Sequence, residues 1–91
     1  MKKQGPIYDV VTVRAIVQRI NRRLKREYAD GERGLFGLKA ARSPRARQDL
    51  GDYYLLNLER NLIADTHVDL EKFGRELGVL QRYERVEEDE A

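Results

Sequence analysis

Asp65, His67 and Asp69 recur at a spacing of two, which on a strand sets two carboxylates and an imidazole on one face. Such a face can ligate a divalent cation or share a proton. Simpler uses compete for the same residues. Asp69 stands where a helix beginning at Leu70 needs its cap, and a surface strand that ends in polar residues requires no ligand. Ser43 has no base in view, because His67 is the only histidine. Gly31, Gly34 and Gly37 match neither the Gly-Lys-Ser/Thr ending of a phosphate loop nor the G-x-G-x-x-G spacing of a dinucleotide site. With no cysteine, thiolate chemistry and disulfides are excluded. A nucleophile, a base and oxyanion donors cannot be assembled from this inventory. The expectation is a protein that is not an enzyme, with no metal, no cofactor and no small-molecule substrate.

Cationic chemistry is better supplied. Arg19, Arg22, Lys25 and Arg26 fall opposite the apolar stripe of a helical segment, with Arg14 and Arg23 on its flanks. Lys39, Arg42, Arg45 and Arg47 follow in a stretch rich in glycine and broken by Pro44. Guanidinium groups bind phosphate oxygens in planar, bidentate fashion, so these eight residues are the candidate contacts to DNA or RNA. The charge is unevenly placed: residues 1–50 hold 13 Lys and Arg against 5 Asp and Glu, and residues 51–91 hold 5 against 11. That asymmetry implies an anionic partner for the first half, or internal pairing of its arginines with the acidic second half. Tyr53 and Tyr54 could stack bases, although cross-strand packing is the commoner use of strand tyrosines. Leu70–Val79 has the pattern of the first helix and turn of a helix-turn-helix, but acidic sequence follows where the recognition helix should stand.

The elements that must position these groups are legible in part. Val13, Ile16, Val17, Ile20, Leu24 and Tyr28 share one helical face, predicting a helix over 12–29 that Asp30-Gly31 stops. Asp9 and Thr12 compete as its cap, and the β-branched run Val10–Val13 would equally suit a short strand. Residues 31–51 read as a long, basic, flexible loop. Tyr53–Leu58 and Leu62–Val68 then predict a hairpin around Glu59-Arg60-Asn61, with Asn61 able to adopt a left-handed conformation. Pairing Leu58 with Leu62 would put Tyr54, Leu56 and Leu58 on the core face, unless a bulge shifts the register. Asp69 caps a second helix with Leu70, Phe73 and Leu77 inward, and Gly78 ends it.

The resulting expectation is a small α+β domain of order α-β-β-α. A flexible N-terminus occupies residues 1–8, the domain residues 9–86 and an acidic, solvated tail residues 87–91. No apolar run approaches the roughly 20 residues that cross a bilayer, and Gln4-Gly5-Pro6 follows Met1-Lys2-Lys3 where a leader would turn apolar, so a cytoplasmic location and no membrane partner are expected. A lone two-stranded ribbon is marginal, which makes a homodimer through the hairpin edge an attractive partner hypothesis. Two functions follow: a sequence-independent nucleic-acid-binding accessory factor, or a protein–protein interaction module.

Overall fold

The computed structural model describes residues 9–87. The expected flexible N-terminus, and all of the acidic tail but Glu87, lie outside them. In chain order the elements are β1 (Asp9–Val11), α1 (Val13–Ala29), β2 (Phe36–Ala40), α2 (Pro44–Leu50), β3 (Tyr53–Asn57), β4 (Leu62–Asp65), α3 (Leu70–Glu76) and β5 (Glu84–Val86). The class is α+β, but the order is richer than α-β-β-α. An antiparallel sheet β2-β3-β4 stands beside a small parallel ladder of β1 with β5.

Thr12 wins the competition for the α1 cap: its side chain accepts the Ala15 N–H while its backbone stays extended. Asp9 belongs instead to β1, where the β-branched residues that weaken an early helix pair with β5, Val11 opposite Val86. Ile16, Ile20 and Leu24 are fully buried, each burial stabilising the fold by roughly 1.5–3 kcal/mol. Tyr28, placed on the same stripe by its spacing, is exposed at the helix end.

Residues 31–51 are not a long loop. Phe36 and Leu38 alternate with Gly37 and Lys39, a two-residue period in which glycine hides the apolar signal, and the segment pairs along β3. Pro44 opens α2 rather than breaking structure. Ser43 is held extended before it and accepts the Ala46 N–H through its hydroxyl, so the proline occupies the first turn, where its missing N–H costs nothing.

The new strand also reverses the hairpin's faces. β2 sets Leu38 opposite Leu55 and Ala40 opposite Tyr53, and this face, with Phe36, packs toward α1. Tyr54 and Leu56 point the other way, with Ile63 opposite Leu56. The expected core face is therefore the outer one. Leu55 does meet Asp65 as expected, but a bulge before Leu56 pairs Asn57, not Leu58, with Leu62. Asn61 is left-handed, at φ 57°.

Asn21 of α1 locks the helix to the sheet. Its amide nitrogen donates to the Leu38 carbonyl at 3.2 Å and its amide oxygen accepts the Leu38 N–H at 2.7 Å, so one side chain completes the edge of β2 as a neighbouring strand would. α3 lies against α1 at Gly74, where an added Cβ would sit 3.0 Å from Ile16 Cδ1. Glu87 is exposed yet held in place: its N–H donates to the Val11 carbonyl and its carboxylate accepts the Val13 N–H. No helix among the described residues is long and apolar enough to cross a membrane.

Candidate nucleic-acid interface

α1 presents its exposed cations on an arc of roughly 120°, because 3.6 residues per turn bring Arg14, Arg22, Lys25 and Arg26 to the side away from Ile16, Ile20 and Leu24. Arg22, Lys25 and Arg26 are exposed, with no carboxylate within ion-pair distance among the described residues. Arg22 and Arg26 are one turn apart and border a groove of about 480 Å³ between α1 and the segment joining α3 to β5; Arg19 and Arg23 complete that wall.

Arg19 is committed elsewhere. Its Nη1 donates to Glu84 Oε1 at 2.9 Å and to the Val79 carbonyl at 3.0 Å. Arg23 is likewise held by Glu27, a buried carboxylate whose other oxygen lies 2.8 Å from Arg33 Nε, off the N–H axis and thus an ion pair without a hydrogen bond. Both arginines therefore shape the groove more than they charge it. Arg22 and Arg26 carry its net positive charge.

The remaining predicted contacts do not converge on one surface. Lys39 projects from the sheet away from the α1 side, yet shares with Lys25 the rim of a depression at the β2 edge. Arg42 and Arg45 are exposed at the start of α2, apart from the arginine groove. Arg47 is 4.0 Å from Asp52 and borders a different groove with Asp52, Asp69, Glu71 and Glu87, where a phosphate would be repelled. Asp65, His67 and Asp69 do not share a strand face: β4 ends at Asp65, His67 takes φ 52°, and Asp69 caps α3 through the Lys72 N–H.

Sequence reasoning missed the residues that hold the groove together. Glu84 accepts from Arg19 and from the Gln81 N–H, its backbone carbonyl accepts from Arg75 Nη2, and Arg75 in turn donates to Glu71, whose second oxygen accepts the Val86 N–H. The one available signal was the acidic composition of the second half. The hydrogen bond from Arg19 and that from the Gln81 backbone hold the Glu84 carboxyl below its ordinary value, against the opposing effect of burial. Glu71 is lowered mainly by Arg75, again against burial, with help from the Val86 N–H.

Lowered carboxylates stabilise the fold above their ordinary value of 4.5, and that contribution disappears as pH falls through the depressed folded-state values. Unfolding by urea should therefore show the midpoint decreasing below about pH 4.5, and the Glu71→Gln/Glu84→Gln variant should lose part of that acid dependence. An unchanged acid slope in the variant would mean that Glu71 and Glu84 do not set the acid stability.

No family model, curated protein or solved structure matches the chain.

Proposed function

We propose that this protein is a small, non-enzymatic accessory factor that binds nucleic acid without sequence preference through the exposed arginine face of α1. The supporting observation is the pair Arg22 and Arg26, one turn apart on a groove rim, without a carboxylate partner among the described residues. Lys25 and Arg14 extend the cationic surface along the exposed side of the same helix. Binding of this kind releases counterions from the phosphate backbone, so its affinity falls steeply between about 50 and 200 mM salt. Titration of labelled mixed-sequence DNA and RNA at those two concentrations tests the reading; no complex at the lower one would end it.

A second reading, self-association through the hairpin, draws support from the unequal edges of the sheet. Asn21 occupies the Leu38 N–H and carbonyl at the β2 edge. Because those groups point away from β3, the peptide groups of Leu55 and Asn57 point toward β4 and those of Leu56 toward β2. Ile63, opposite Leu56, then directs its own N–H and carbonyl outward from β4. A copy related by a two-fold axis would pair Ile63 with Ile63, joining two side chains that are each 49% exposed. The expected result is a dimer in sedimentation that Ile63→Lys converts to monomer. A wild-type monomer across micromolar concentrations would exclude it.

A further inference from the structure

We infer that the arginine groove takes a single strand rather than a duplex, with phosphates on Arg22 and Arg26 and an unpaired base on Tyr83. This inference rests on the nucleic-acid reading of α1. Its starting point is the shape of the site: the free guanidiniums stand on the rim of a concavity, and the opposite wall is formed by the Gly78–Val79 turn, Gln81 and Glu84. A duplex presents its phosphates on a stiff convex cylinder and keeps its base faces stacked inside. A single strand can bend into a groove and turn a base outward.

The charge balance sets how much backbone the groove can hold. Of its four arginines, Arg19 is matched by Glu84 and Arg23 by Glu27. Two cations remain, enough for two adjacent phosphates of one strand. The 6 Å rise between residues four apart, about 1.5 Å each, spaces them along the groove.

The far wall supplies what a base needs. Gly78 adopts φ 77° with nothing within 4 Å of the position a Cβ would take, so the peptide there is open to approach. The Gln81 backbone is fixed by its N–H to Glu84, while the Gln81 side chain is exposed and carries both a donor and an acceptor. Two residues further on, Tyr83 is 57% exposed, and its backbone is anchored because its carbonyl accepts the Asp9 N–H. Tyr83 is not itself part of the groove lining but adjoins Glu84 of its wall in the chain, and an exposed aromatic next to a run of free cations is the combination by which single strands are held without sequence preference.

The test is fluorescence anisotropy at about 50 mM salt with oligo-U, oligo-dT and duplex DNA, each of about 12 nucleotides or base pairs. The two single strands distinguish RNA from DNA as the source of the shared chemistry. Both are expected to bind more tightly than the duplex. Tyr83→Ala should weaken single-strand binding at least about fivefold and leave duplex binding unchanged. Gln81→Glu, which adds an anion to the wall without touching the core, should also act on the single strands selectively. Duplex binding as tight as single-strand binding, or equal losses on both in the two variants, would overturn this inference and leave the α1 reading standing. Absence of binding to all three probes would overturn both.

Discussion

Reversing two charges, in the variant Arg22→Glu/Arg26→Glu, should lower nucleic-acid affinity by about 100-fold or more at low salt. The substitution removes the two groove cations that lack a carboxylate partner among the described residues and puts two anions beside the phosphates. The fold should be unaffected, because both side chains are exposed and surface changes of this kind usually stay within about 0.5 kcal/mol. Arg47→Glu is the matched control. Arg47 already faces Asp52 across 4.0 Å and borders an acid-lined groove, so its reversal should cost little. Comparable losses from Arg47→Glu and from either α1 reversal alone would mean that net charge, not the α1 surface, governs binding.

Gly51→Ala should be the most damaging single substitution in the scaffold. Gly51 has φ 81° and ψ −178°, a region that only glycine occupies readily, and an added Cβ would lie 2.7 Å from the His67 Cα. The neighbour is backbone and cannot swing aside: the His67 N–H donates to the Leu50 carbonyl at 2.7 Å, and Val68 is tied to Tyr53. The expected cost is about 3 kcal/mol or more, from backbone strain and the clash together. For a domain of this size that lowers the melting temperature by at least about 12 °C. Gly31→Ala, also at positive φ but with open space around it, should cost only about 1 kcal/mol. Equal melting temperatures for the two variants would contradict the contact.

What was legible beforehand follows from how local each signal is. The α1 stripe, the Asp69 cap, Gly78 at the end of α3 and the left-handed Asn61 depend on residues within a few positions of one another. β2 was invisible because Gly37 and Lys39 give its alternation no apolar contrast, and because Asn21, 17 positions earlier, completes its edge. Without β2, the hairpin's core face could not be chosen correctly: Leu56 is as apolar as Leu55, and only the packing of Leu38 on α1 decides between them. β1 and β5 lie at opposite ends of the chain, and a three-residue parallel ladder leaves no periodic trace. The candidate site was legible as a basic helix face. Its groove was not, since that wall depends on Glu84 meeting Arg19 across 65 positions.

The most direct measurement is the slope of log K against log salt concentration for a single-stranded oligonucleotide, wild type against Arg22→Ala/Arg26→Ala. Each phosphate neutralised on a single strand contributes about 0.7 to that slope, so the variant's slope should be shallower by about 1.4. Identical slopes, with binding intact, would place the phosphates elsewhere on the protein and contradict the role given to α1.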